Sequence, residues 1–284
     1  MGKPLPFSNQ PDARSYFPYP FHERAYKQLR RSIGERRGLI VLTAAEGTGK
    51  TVLLRRFIQA SESDKTLDIH PIAEPWRGSA AVLRAMGQIL DSDLTRLKPR
   101  DQWNRVIQRL TELHASRVDV VLLIDNATFV DFEVLKLLVD LIWSTGTETG
   151  LQVVLSGANE LVPRLRLNMS EVWDRATHVH LKRFNHTGTN QYIDHQLHVA
   201  GIESEQLFSK NTVNRIHSYS GGIPVKINNL CNIALSLSNV SQIKTHQDPP
   251  STTAYHSGSQ QRYTDASSHV THAYADKRSF LTRL

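Results

Sequence analysis

Short apolar runs alternate along the chain with segments whose apolar residues recur every three or four positions. The runs at 38–43, 66–73, 118–125, 151–156 and 178–181 predict strands. Apolar residues recur at helical spacing, and so predict helices, in residues 52–58, 80–90, 103–113 and 132–143 and in a short stretch from Asn159. The run at 120–124 is wholly apolar, as in a strand covered on both faces. Strands that alternate with helices in this way predict an α/β fold with a parallel sheet between layers of helices.

From Thr187 onward the strand pattern gives way to helical spacing. Residues 189–200, 205–218 and 224–237 predict three helices that form a small lid. Beyond about residue 240 the chain is rich in Ser, Thr, His and Gln, and it has too few aliphatic residues to form a core. The chain therefore divides into a core (1–186), a helical lid (187–239) and a polar, disordered tail (240–284). The tail histidines are irregularly spaced and predict no metal site: His246, His256, His269 and His272.

A glycine-rich sequence joins the first strand to the helix that follows it. It reads Ala44-Ala45-Glu46-Gly47-Thr48-Gly49-Lys50-Thr51. In a phosphate-binding loop, glycines turn backbone N–H groups toward an anion, the lysine reaches the β- and γ-phosphates, and the threonine hydroxyl ligates Mg²⁺. We therefore predict ATP and Mg²⁺ as cofactors held by this loop. Ala44 stands where the usual spacing has glycine, and a methyl group is tolerable there unless the backbone φ is positive.

Asp125 ends the most apolar strand of the chain. A nucleoside triphosphatase places at this point the carboxylate that holds Mg²⁺ beside the P-loop threonine, so we predict Thr51 and Asp125 as the metal residues. The alternative for Asp125 is a turn or helix-capping role. The next residue is Asn126, an amide that can hydrogen-bond a water molecule but cannot take its proton. The sequence therefore predicts nucleotide binding more firmly than hydrolysis.

Basic residues are concentrated near the N-terminus of a chain whose formal net charge is +7. Between positions 14 and 37, Glu23 and Glu35 are outnumbered by Arg14, Arg24, Lys27, Arg30, Arg31, Arg36 and Arg37. This cluster is either a solvated helix face or a surface for non-specific DNA binding. The absence of a DNA-reading motif favours the solvated face.

Cysteine content and hydropathy indicate the compartment. The single cysteine, Cys231, excludes an internal disulfide framework and is typical of a reducing compartment. The sequence has no apolar stretch of membrane-spanning length, and its N-terminus lacks the apolar centre of a secretory signal. We expect a soluble, cytoplasmic protein with no transmembrane segment.

Several motifs occur in the order found in one family of ATPases. They are LPFS (5–8), QPD (10–12), HERA (22–25), the P-loop, LLID (122–125), VVLSGANEL (153–161) and SGGIPVKINNLC (220–231). Over residues 5 to 237 the chain resembles the ExeA/GspA-type AAA ATPases, which have the AAA+ P-loop NTPase fold. Transposition regulators of the TniB/TnsC type are similar in the ATPase core.

The resemblance assigns roles to residues outside the P-loop. It implies that His22 lies near the adenine, that Ser156 or Asn159 occupies the sensor region that reads the γ-phosphate, and that Arg175 is offered to a neighbouring subunit's nucleotide. The alternative for Arg175 is an ion pair with Glu171 or Asp174 on a short surface helix. The family pattern G-x-P-R-x-I-N has arginine where this chain has Val225, so no cationic sensor is expected from the lid.

Three departures from the family pattern fall on the phosphate chemistry: Ala44, Asn126 and Val225. Together they predict a slow or inactive ATPase that uses the nucleotide to set a conformation or an assembly state. The first functional hypothesis is a self-associating, nucleotide-dependent switch or motor subunit of a bacterial envelope or secretion assembly. The second is a DNA-associated, ATP-dependent adaptor of the TniB/TnsC type. The third is a catalytically silent scaffold.

Overall fold

The computed structural model describes residues 6–10, 16–73, 75–143, 149–202 and 207–245. The strands are β1 (Leu39–Thr43), β2 (Leu67–Ile72), β3 (Asp119–Ile124), β4 (Gln152–Gly157) and β5 (Thr177–His180). The helices before β4 are α1 (Pro20–Gly34), α2 (Lys50–Ser61), α3 (Ser79–Ile89), α4 (Pro99–Ala115) and α5 (Phe132–Trp143). Those after β4 are α6 (Leu161–Asn168), α7 (Ser170–Arg175), α8 (His186–Ala200), α9 (Lys210–Ser220) and α10 (Pro224–Thr245).

The five strands form one parallel sheet in the order β2-β3-β4-β1-β5. This confirms the predicted α/β class. Strand β4 lies between β3 and β1, so Leu122 of β3 and Leu39 of β1 both align with Val153. Because the strands are parallel, the loops that follow β1, β3 and β4 meet at the same edge of the sheet.

Helices cover both faces of the sheet, and side chains alternate between two cores. Val120, Leu122 and Ile124 of β3 pack in the core under α3, α4 and α5, whereas Val121 and Leu123 pack in the core under α1 and α2. All six residues of β3 are buried. The expectation of a central strand covered on both faces is therefore confirmed, since neither set of side chains meets solvent.

The basic N-terminal segment folds in part into α1. This helix buries Ala25, Tyr26, Leu29 and Ile33 against the sheet and leaves Arg24 and its other basic residues exposed. It is thus an amphipathic core helix with a charged outer face. Arg14 lies outside the described residues, as do Leu5, Pro11 and Asp12 of the N-terminal motifs.

After β5 the chain forms α8, α9 and α10, as the apolar spacing predicted. These helices share a third core, which includes Ile193, Ile216 and Ile227. Helix α9 begins at Lys210, where Ser209 caps it by accepting a hydrogen bond from the Thr212 N–H. Residues 205 and 206 of the predicted helix lie outside the described residues. Helix α10 continues to Thr245, past the predicted end at 237.

The division into core, lid and tail stays a prediction. Residues 246–284, with the four tail histidines, lie outside the described residues. Among the helices that the structure describes, none has the length and hydropathy needed to cross a bilayer.

Candidate functional site: a P-loop cavity

The P-loop follows β1 and ends where α2 begins at Lys50. Gly47 and Gly49 have φ values of 74° and 107°, in the left-handed region that favours glycine. A Cβ atom at Gly47 would lie 2.9 Å from Cβ of Val225, whereas the space around Gly49 is open. Glycine at 47 therefore allows the start of α10 to approach the loop, and glycine at 49 leaves room for an anion at the helix N-terminus.

Ala44 occupies the first loop position without a left-handed backbone. The residue is fully buried, its N–H donates to the Gly157 carbonyl at 3.3 Å, and its carbonyl accepts a hydrogen bond from Lys50 Nζ at 3.3 Å. The next residue, Ala45, accepts at its carbonyl a 2.7 Å bond from the Thr48 hydroxyl. Both alanines thus contribute backbone groups that shape the loop.

Thr51 and Asp125, predicted as the metal residues, are in contact. The Thr51 hydroxyl donates to Oδ2 of Asp125 at 2.6 Å, and the Ser156 hydroxyl donates to Oδ1 at 2.8 Å. Ser156 can do so because β4 lies between β1 and β3. A hydroxyl and a carboxylate at one point supply the oxygen ligands that Mg²⁺ prefers, so this pair fits a magnesium ion.

The Lys50 ammonium group lies in a field of carboxylates. Burial lowers its pKa, and the negative charges of Asp125, Glu46 and Glu160 act in the opposite direction. Bound phosphates would add to that second effect. Glu160 was not among the predicted site residues, although it follows β4 within the motif that contains Ser156.

Asn126 has a left-handed backbone, with φ of 53° and ψ of 30°. Asparagine tolerates this conformation better than most residues. Its side-chain Nδ2 donates to the Ala73 carbonyl at 3.2 Å, just after β2, and its N–H donates to Asp125 Oδ1 at 3.0 Å. The amide therefore ties the end of β3 to the end of β2.

A cavity of about 350 Å³ opens over the P-loop. This volume is within the range of small-molecule sites, about 300–1,000 Å³. Five groups of residues line the cavity: Glu46 to Val52 of the loop and α2; Asp125 and Asn126; Ser8, Asn9 and Gln10; Tyr16, Phe17 and His22; and Phe184, Tyr192, Pro224, Val225 and Asn228.

His22 lies in the first turn of α1, at the end of the cavity away from the P-loop. Its Nε2 is 3.0 Å from the Lys182 carbonyl, and its ring packs 4.8 Å from that of Phe184. Burial lowers the pKa of His22 to about 4. The imidazole is therefore neutral at pH 7, and Nε2 is the nitrogen that donates to the carbonyl.

Comparison with known proteins agrees with this geometry. Residues 31–165 match the model of a protein family described as an AAA domain. The chain is 30% identical over 237 residues to General secretion pathway protein A of Aeromonas hydrophila. The aligned region covers 81% of this chain and 42% of that protein. The chain thus contains an AAA domain and is similar to the ExeA/GspA-type AAA ATPases. It spans about two fifths of the length of that curated relative.

Solved structures share the fold of this chain. Cdc6p from Pyrobaculum aerophilum superposes with a TM-score of 0.58 at 17% identity, over 82% of this chain and 66% of that one. The Aeropyrum pernix ORC1 protein, solved in complex with DNA, superposes with a TM-score of 0.58 at 13% identity. That superposition covers 82% of this chain and 64% of the ORC1 chain. These likenesses show the fold alone. The AAA-domain match, with the P-loop that follows β1, implies nucleotide binding.

Four predicted site residues lie outside the cavity lining: Ala44, Ala45, Ser156 and Arg175. Ser156 is buried behind Asp125 and reaches the cavity only through that carboxylate. Arg175 ends α7 just before β5 begins, at the sheet edge opposite the P-loop, and its guanidinium lies 4.1 Å from the Trp143 ring. Arg175 therefore faces away from the cavity of its own chain.

Other cavity residues were not predicted. Ser8, Asn9, Gln10, Phe184, Tyr192 and Asn228 line the end away from the P-loop together with His22. They come from three distant parts of the sequence and share no spacing. Ser8, Gln10 and Asn228 lie within motifs that resemble the family, which is the one signal that pointed toward this end.

Proposed function

We propose that the chain binds ATP with Mg²⁺ and acts as a nucleotide-dependent switch whose own hydrolysis is slow. The observation that carries this proposal is the contact between Thr51 and Asp125, followed directly by Asn126 in place of a carboxylate. The metal pair is complete, whereas the residue next to it holds the backbone and cannot act as a base.

Each residue of the site has a role in this proposal. Lys50 binds the β- and γ-phosphates, Thr51 ligates Mg²⁺, and Asp125 holds the metal with its orientation fixed by Ser156. Val225 places an aliphatic side chain, and no cation, at the P-loop. Its backbone N–H donates a hydrogen bond to the Gly47 carbonyl. Because no cation from α10 stabilises the charge of the transition state, hydrolysis of ATP is slow.

Self-association is the means by which we propose that the switch acts. Arg175 is exposed on the edge away from its own cavity, where it can meet the phosphates of a neighbouring subunit. The Phe129 side chain, which follows β3, is 76% exposed, and that of Leu167 on α6 is 83% exposed. In this proposal both side chains are buried where subunits meet.

The partner in our first proposal is a protein of a bacterial envelope or secretion assembly, contacted from the cytoplasm. Support comes from the curated relative, whose name places it in the general secretion pathway. Because the chain spans 42% of that relative, its role in such an assembly is a proposal about this segment alone.

A second candidate is an adaptor of the TniB/TnsC type that binds DNA without sequence preference. The observation in its favour is the exposed basic side of α1, with Arg24, Lys27 and Arg30. Against it, Arg36 pairs with Asp119 at 2.7 Å, and Arg37 and Arg31 both pair with Glu35. These ion pairs leave a smaller basic surface than the sequence suggested.

The test is to measure ATP binding and phosphate release on one sample, with and without duplex DNA. The switch predicts Mg²⁺-dependent binding with turnover far below one per second and no effect of DNA. Salt-sensitive DNA binding that stimulates turnover would favour the adaptor. Rapid turnover without DNA would contradict the proposal of a slow switch.

Assembly is tested by the light-scattering mass with and without ATP. We expect ATP to produce a larger species, and Arg175→Ala to weaken it while leaving ATP affinity unchanged. Arg100→Ala, an exposed arginine on α4, is the control. An ATP-independent mass would favour the silent scaffold if phosphate release is also absent.

A further inference from the structure

An N-terminal strap, residues 6–10, lies across the lid beside the cavity. Phe7 is fully buried in the lid core, where its ring meets that of Phe208 edge to face at 6.1 Å. Its φ is 56°, in the left-handed region that favours glycine and strains other residues. A strained backbone of this kind persists only where other contacts hold it.

Asparagines of α10 supply those contacts. Asn228 Nδ2 donates to the Ser8 carbonyl at 3.1 Å and to Asn9 Oδ1 at 3.3 Å, and Asn232 Nδ2 donates to the Phe7 carbonyl at 3.0 Å. Asn9 Nδ2 in turn donates to Asn229 Oδ1 at 2.6 Å. The strap is thus attached to one helix by hydrogen bonds at three successive residues.

Asn228 differs from the other two asparagines because it is buried and also lines the cavity. Its Oδ1 accepts a 2.9 Å hydrogen bond from the Tyr192 hydroxyl, so both ends of its amide are engaged. Asn228 lies one turn after Val225, whose N–H donates to the Gly47 carbonyl at 3.3 Å. Helix α10 therefore contacts the P-loop first and the strap one turn further on.

We propose that Asn228 is a positioning residue that fixes the strap as a wall of the cavity at the end that receives the nucleoside. This inference rests on the proposed ATP binding. Ser8, Asn9 and Gln10 then meet the base and ribose, while the triphosphate meets the P-loop. Loss of the Asn228 amide removes the bonds to Ser8 and Asn9, loosens this part of the strap and weakens the hold on the nucleoside, with the phosphate site intact.

Two ligands separate the ends of the cavity. Mg²⁺-ATP uses both ends, whereas Mg²⁺-tripolyphosphate has no base and uses only the P-loop. In Asn228→Ala we expect calorimetric affinity for ATP to fall at least tenfold and affinity for tripolyphosphate to change less than twofold. Lys50→Ala should lose both ligands. Lys226→Ala, an exposed change on the same helix, should alter neither.

Tyr192→Phe is the matched variant for the lid. It removes the bond to Asn228 Oδ1 and keeps both bonds from Asn228 Nδ2 to the strap, so ATP affinity should fall less than threefold. Hydrogen exchange of the amides of residues 7–10, measured without nucleotide, should speed up in Asn228→Ala and stay unchanged in Tyr192→Phe.

Equal losses of ATP and tripolyphosphate in Asn228→Ala would overturn the proposal, because the residue would then support the lid as a whole. Unchanged ATP affinity would overturn it as well. If Asn228→Ala does not fold, Asn232→Ala takes its place, since it releases Phe7 from outside the cavity, and the same outcomes apply. If the unaltered protein binds neither ligand, the proposed function fails. Unchanged hydrogen exchange of residues 7–10 in Asn228→Ala would, independently of ligand binding, overturn the positioning role of Asn228.

Discussion

The two ends of the cavity are built in different ways. The phosphate end consists of one continuous segment, the P-loop with Lys50 and Thr51, completed by Asp125. The opposite end is assembled from the strap, the start of α1 with His22, and the lid with Tyr192 and Asn228. The P-loop end is therefore encoded within a few consecutive residues, whereas the end proposed for the nucleoside forms only when distant segments pack together.

The ends also differ in charge. Lys50 lies among carboxylates at the phosphate end. At the other end, His22 is held neutral by burial and packs among aromatic rings such as that of Phe184. Variants at the first end should act on phosphate binding, and variants at the second on stability and on the nucleoside.

The largest effect is expected for Lys50→Ala. Removal of the cation that faces the β- and γ-phosphates should lower ATP affinity by about 100-fold or more, because hydrogen bonds to charged groups contribute about 1.5–3 kcal/mol each. Isothermal calorimetry measures the loss, with the exposed Lys65→Ala as control. Retained affinity would remove the P-loop from the phosphate site.

The opposite end is tested through His22 and pH. The ordinary pKa of 6.5 is lowered to about 4 in the folded protein, so between these values the unfolded chain binds a proton that the folded one does not. Stability due to the neutral His22 is complete above pH 6.5 and falls by about 3 kcal/mol toward pH 4. Urea denaturation of His22→Gln should show a correspondingly shallower pH dependence, and parallel profiles would contradict the assignment.

Asn126→Glu tests whether a missing base separates this site from an active ATPase. A positioned base contributes about 10²–10⁴-fold to rate. Glutamate must also adopt the left-handed backbone of residue 126, at a cost of about 1–2 kcal/mol. We therefore expect a gain in phosphate release of about tenfold, with Asn126→Gln unchanged as the isosteric control. Fast wild-type turnover that does not rise in Asn126→Glu would mean that another residue activates the water.

The smallest effect is expected for Val225→Arg. The side chain of residue 225 lines the cavity next to Gly47, so arginine should add a cation near the phosphates. Because the position is 36% exposed, solvent screens the charge and the gain in ATP affinity should be about threefold. Lys226→Arg, one residue further on, should have no effect. A loss of affinity in Val225→Arg would indicate that the larger side chain displaces α10 from the loop.

The sequence by itself determined the sheet and the phosphate end. The apolar run of β3 follows from burial on both faces, and its period of two sends Val121 and Leu123 into one core and Leu122 into the other. The P-loop could be predicted from the sequence because its residues are consecutive. The sequence showed that an amide follows Asp125, but it did not predict the hydrogen bonds from the Asn126 N–H to Asp125 and from its side chain to the Ala73 carbonyl.

Only the tertiary structure decided the strand order and the end of the cavity that we propose for the nucleoside. Placement of β4 between β3 and β1 lets Ser156 reach Asp125, and no local pattern encodes which strands are neighbours. Ser8 of the strap is hydrogen-bonded to Asn228, which lies 220 positions later in the sequence. The bond uses a carbonyl and an amide group, which occur in nearly every stretch of chain, so no local pattern predicts it. Apolar periodicity reports which side of an element is buried, and it carries no information about the partner against which that side is buried.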